Sequence, residues 1–225
     1  MVLPHSPAVP SEKIIQLHQA LVARGLATHV WGEKEHEAPL VELPLLNGAL
    51  GRGELAELWA SEESSGATLV MVEMLHALAL QGQCLALVDG SDSFDPENIA
   101  PAVLERLLWV RASTAGQAIK AADLLLRDGN LPLILVQLRG LPVHALRRIP
   151  NQNWYRLQQL SRQSGTSCLV VTPHPLVPCA RKRWQTSSHF TLDDLERDVE
   201  EIHPRLQVQM QWRGDAVHTP AENVG

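Results

Sequence analysis

Aromatic residues are scarce in this chain: two Phe and one Tyr stand beside six Trp, about 4% of the 225 residues. A core must therefore be built from Leu, Val, Ile and Ala, which suits helices packed on a sheet. Cysteine is nearly missing too. Cys84, Cys168 and Cys179 form no CxxC pair and leave an odd count, which argues against a disulfide framework and for a reducing, cytoplasmic setting. No apolar run approaches the roughly 20 residues of a membrane span, and residues 1–7 lack the basic and apolar regions of an export signal. The expectation is a protein that is neither secreted nor inserted in a membrane.

Negative charge is missing from one long stretch. Residues 129–192 hold eight Lys/Arg and no Asp/Glu, whereas residues 1–128 hold 17 acids against eight bases and residues 193–225 hold eight against three. A basic block of that length predicts an anionic counterpart.

What is present reads as one domain of alternating strands and helices. Ser11 caps a helix with Ile14, Leu17 and Leu21 on one face, and the acidic, Gly- and Pro-punctuated residues 33–50 read as linker and turn. The folded core is expected to begin near Gly53. Apolar strands are predicted at 55–59, 84–88, 107–110, 133–138 and 168–171, with helices at 67–81, from Pro96, at 115–127 and at 150–163. Continuous apolar strands separated by helices indicate a mainly parallel sheet covered on both faces. Alternation over 206–212 predicts a half-exposed edge strand, and 214–225 a flexible tail. The expected organisation is a helical arm and linker over 1–42, an α/β domain over 43–213, and the tail.

The segment from Glu57 to Leu69 resembles the phosphate-loop segment of the RecA recombinase family, which reads GPESSGKT in the same strand–loop–helix context. Glu63, Ser64, Ser65, Gly66 and Thr68 agree, whereas Ser61 replaces the first glycine and Ala67 the lysine that reaches the β- and γ-phosphates. The resemblance runs in order from Leu43 to Thr172. It places Ser91 where the family has the glutamate that orients water, and Gln137 where it has the aspartate that serves the magnesium shell. Each change removes a charge that phosphoryl transfer depends on. The resemblance thus implies a RecA-like three-layer α/β fold whose site is vestigial, with no nucleotide cofactor and no catalysis.

Arg52-Gly-Glu-Leu-Ala-Glu-Leu58 before that loop is similar to the ImuA family of SOS mutagenesis accessory proteins. That resemblance implies a scaffold in translesion DNA synthesis, partnered by an ImuB-like Y-family polymerase-type protein and an error-prone polymerase. RecA itself is a further candidate partner, and the arm carrying Ile14, Leu17 and Leu21 allows docking on a neighbouring subunit in a homo-oligomer. A SulA-like regulator that caps a partner's assembly interface is the alternative. Arg139, Arg147, Arg148 and Arg156 follow the fourth core strand, and Arg181, Lys182 and Arg183 with Trp184 follow the fifth, where the family carries DNA-binding loops. Read as two loop clusters at one end of the sheet, they could bind phosphates of single-stranded DNA, with Trp184 stacking on a base, or dock an acidic protein. His174, Cys168 and Cys179 offer too few ligands for a metal site. Ser64 or Ser65 with His76 and Asp89 forms only a nominal hydrolase set, and His76 is read as a helix-packing residue.

Overall fold

The computed structural model describes residues 41–61, 65–97, 99–191, 193–194, 197 and 199–212. The arm bearing Ile14, Leu17 and Leu21, the loop residues Glu63 and Ser64, and the tail lie outside them. Nine strands are present among the described residues: β1 (Val41–Leu43), β2 (Gly48–Leu50), β3 (Leu55–Trp59), β4 (Leu85–Asp89), β5 (Leu107–Arg111), β6 (Leu133–Gln137), β7 (Ser167–Thr172), β8 (Lys182–Thr186) and β9 (Val208–Trp212). Between them run helices α1 (Ala67–Leu80), α2 (Pro101–Leu104), α3 (Ala115–Asp128), α4 (Val143–Leu146), α5 (Asn151–Ser164) and α6 (Val199–Ile202).

Seven strands make one sheet in the order β5-β4-β6-β7-β3-β8-β9, parallel except for the last pair. The strands of its centre are buried on both faces, which is why they read as unbroken apolar runs. Ala56 and Leu58 point into a core shared with α1 and α2, while Leu55, Ile134 and Val136 point into a second core under α3 and α5. The architecture is therefore three-layered, as expected. Thr114 caps α3 by accepting from the Gln117 amide at 3.2 Å, and Gly129 and Gly165 end α3 and α5 in the left-handed conformation.

Three expectations are corrected. The core begins before Gly53: β1 and β2 form a hairpin, and Leu43, Leu46 and Leu50 are fully buried because they close the end of the first core over α1. The helix expected from Pro96 is only the single turn of α2, since the chain after β4 is held as a turn by the Asp89 carboxylate. It accepts from the amides of Ser91 at 3.3 Å, Ser93 at 3.2 Å and Phe94 at 3.0 Å. Residues 182–186 are a strand, not a loop, because Arg183 finds a partner on β3 and Lys182 finds partners on β2 and just before β3, which their charge hid from a hydropathy reading.

Those partners are unusual. Glu57 lies in the middle of β3, wholly buried, and Arg183 donates to its Oε2 at 2.6 Å. Its Oε1 accepts from Thr172 Oγ1 at 2.9 Å and from the amides of Leu176 at 2.7 Å and Val177 at 3.1 Å. Lys182 reaches Glu54 Oε2 at 2.8 Å and the Ala49 carbonyl at 2.9 Å. Removing one partner of a buried, hydrogen-bonded charge costs about 3–5 kcal/mol. Glu57→Ala should therefore lose stability of that order in urea unfolding, and Glu57→Gln, which keeps an acceptor, should lose less. A loss for Glu57→Ala under about 1 kcal/mol would mean that apolar contacts alone hold the 173–181 segment.

Candidate functional site

The turn joining β3 to α1 is the feature the sequence singled out. It leaves the carboxyl end of β3, passes Ser61, and enters α1 through Gly66 at φ 86°, a conformation that favours glycine. Ala67, at the first position of α1, is 1% exposed and its methyl belongs to the core, so this position now serves packing. Thr68 is exposed and Ser65 is buried. Gly66 also faces hydrocarbon: a Cβ there would lie 2.2 Å from Leu206 Cδ1 and 3.0 Å from Phe190 Cε2. The chain returning from β8 to β9 thus packs against the start of α1. Arg205 fixes that return by pairing with Asp194, one contact being short and the second 3.1 Å, and by stacking 5.6 Å from the Phe190 ring centre.

The two other positions lie at the ends of β4 and β6. Gln137 ends β6 at 7% exposure, its Oε1 accepting weakly from the Arg139 amide at 3.4 Å and its carbonyl accepting from Gly90 at 2.9 Å. Ser91 shares a 2.8 Å hydrogen bond with Ser93. The loops after β4 and β6 touch closely, since a Cβ on Gly140 would fall 2.6 Å from Ser91 Cβ. Beside them opens a cleft of about 420 Å³ lined by Ser91, Asp92, Arg111, Ser113 and Gln117. It carries little net charge, because Arg111 and Asp92 are paired at 2.5 Å. The buried carboxylate nearest these positions in sequence, Asp89, already accepts three amides.

Among the described residues, Arg139 is the cation of the basic block that reaches the turn, donating from Nη1 to Ser65 Oγ at 3.2 Å. Folding separates the rest. Arg147 and Arg148 are exposed after α4, and no carboxylate among the described residues pairs with them. Arg156, on α5, pairs with Asp123 of α3. Arg183 is neutralised by Glu57 and Lys182 by Glu54. Trp184 is wholly buried in the first core, its indole against Gly48, so it cannot stack on a base. Arg181 is exposed, but with Lys182 it marks the end of the sheet where strands begin, opposite Arg139. The reading of two loop clusters at one end is thus corrected. The acids absent from residues 129–192 are supplied in space from Glu54, Glu57 and Asp123.

His76 is exposed, which corrects its reading as a helix-packing residue, and no hydrogen bond joins it to Asp89. Among the described residues no group of His, Cys, Asp and Glu could hold a metal, and burial, with Cys179 nearby, pushes the Cys168 thiol up to about 12. No helix among them is long and apolar enough to cross a membrane. Sequence reasoning missed Glu57, although a lone carboxylate inside the apolar run 55–59 was the signal, and it missed Phe190 and Leu206, which carry none.

Comparison with known proteins agrees with this fold. The chain is 32% identical over 98 residues to the RecA protein of Rhodospirillum rubrum, matching 43% of this chain and 26% of that protein. It is 32% identical over 91 residues to RecA of Kineococcus radiotolerans, matching 40% and 26%. The chain spans about a quarter of the length of these relatives. The crystal structure of the RadB recombinase superposes with a TM-score of 0.50 at 16% identity, covering 63% of this chain and 78% of that one. No protein-family model matches. The fold is RecA-like, and a segment of the sequence is related to RecA proteins.

The Arg205 guanidinium, then the amide and hydroxyl of Thr191, hold the Asp194 carboxyl well below the usual carboxylate range. A depressed folded value makes its stabilisation present above the ordinary aspartate value of about 3.9 and lost as pH falls toward the folded value. Thermal unfolding of the protein and of Asp194→Asn should therefore differ by a constant amount above about pH 5 and converge as the pH drops below 4. Parallel curves through that window would show that the contact carries no linkage.

Proposed function

We propose that this chain is a non-catalytic RecA-like accessory protein of DNA-damage-induced translesion synthesis, binding polymerase-type partners instead of hydrolysing a nucleotide. The observation that carries the reading is the set Ala67, Ser91 and Gln137. Three positions around one RecA-like turn offer neither the ammonium nor the carboxylates that phosphoryl transfer uses. The burial of Ala67 and the contact of Gly66 with Leu206 and Phe190 support it, because that part of the turn is committed to the core. Similarity to RecA proteins favours a DNA-repair setting, and the resemblance of Arg52–Leu58 to ImuA favours the mutagenesis branch, with an ImuB-like Y-family protein and an error-prone polymerase as partners.

Single-stranded DNA is the nucleic acid this reading implies, and it assigns the contact to Arg147 and Arg148, two neighbouring exposed cations. Calorimetric titration with magnesium-ATP should give no binding heat, and appreciable affinity would overturn the non-catalytic reading. In mobility shifts, Arg147→Ala with Arg148→Ala should weaken single-stranded DNA binding and lower the slope of log affinity against log salt by about 1.4, at roughly 0.7 per phosphate contact. Affinity purification after DNA damage should recover a Y-family polymerase-type protein. Recovery of a cell-division protein, without any DNA shift, would favour the SulA-like regulator.

A further inference from the structure

Among the described residues, β9 is paired on one side only. It runs antiparallel to β8 from Lys182↔Trp212 to Thr186↔Val208, and among the described residues no strand lies beyond it. Met210 is 40% exposed, and Gln209 and Gln211 are exposed. An open edge is a template for another strand, and folded proteins usually blunt it with a lysine, a proline or a bulge. Residues 206–212, Leu-Gln-Val-Gln-Met-Gln-Trp, have no charge and no proline, and the pairing with β8 advances one residue for one without a bulge. The opposite edge differs: β5 ends in Arg111, ion-paired with Asp92.

We infer that β9 is a self-association edge whose occupant is the β9 of a second copy of this chain. Two identical strands pair antiparallel about a two-fold axis, so the contact closes on itself and uses up the edge. Centred on Met210, the register sets Gln209 opposite the partner's Gln211 and Met210 opposite the partner's Met210. Amide then meets amide and apolar side chain meets apolar side chain, the cross-strand pairs that stabilise a sheet. An uncharged strand brings no like charges together at the axis, which a charged edge would do. The two seven-stranded sheets become continuous, independently of the function proposed above.

Sedimentation of the full chain over a wide concentration range should show a reversible monomer–dimer equilibrium. Met210→Lys sets two ammoniums face to face at the axis and should weaken the dimer at least about tenfold, with the monomer's melting temperature unchanged. Gln209→Lys, which meets the partner's Gln211 and not itself, should weaken it less and so reports the register. A protein that sediments only as monomer up to the highest concentration, or a dimer that Met210→Lys leaves intact, would overturn the inference.

Discussion

The Glu57 carboxylate sets the geometry of half the sheet. A parallel connection normally needs a dozen or more residues and a helix to satisfy its own backbone. Residues 173–181 join β7 to β8 with no helix, and their amides at Leu176 and Val177 turn to Glu57 instead. The same carboxylate anchors Arg183, which puts β8 beside β3, and β8 in turn positions β9. One buried charge thus substitutes for the hydrogen bonding of a crossover helix, and Arg183 returns a second tie by donating to the Val177 carbonyl at 2.8 Å.

This arrangement changes the meaning of the basic block. Counted along the chain it is an excess of positive charge; in space, carboxylates of β3, its preceding residue and α3 cancel Arg183, Lys182 and Arg156. A buried ion pair is worth little over a hydrophobic pair, but it fixes which partner a strand chooses. Part of the block is thus half of a pairing code whose other half lies elsewhere in the sequence, while Arg147, Arg148, Arg162 and Arg181 stay exposed.

Most of the fold was legible because buried parallel strands and capped helices write their pattern locally. β3 to β7 and α1, α3 and α5 fall within a residue or two of the expected ranges. β8 was not legible, since Lys182-Arg-Trp-Gln-Thr186 is a polar strand made stable by ion pairs more than a hundred residues away. The β1–β2 hairpin was lost among the glycines and prolines around it. At the candidate site, the strand–turn–helix framing and the uncharged Ala67 and Gln137 were readable. The cover of Leu206 and Phe190 was not, because contact between distant apolar residues leaves no local signature.

That cover couples two places in mechanical terms. Leu206 rests on Gly66 and lies two residues before β9 begins, Phe190 lies against the same glycine, and Arg205 stacks on the Phe190 ring. Close-packed hydrocarbon compresses little. A displacement at the approach to the last strand is therefore passed through Leu206 and Phe190 to the first turn of α1, so that the edge of the sheet and the turn after β3 move as one.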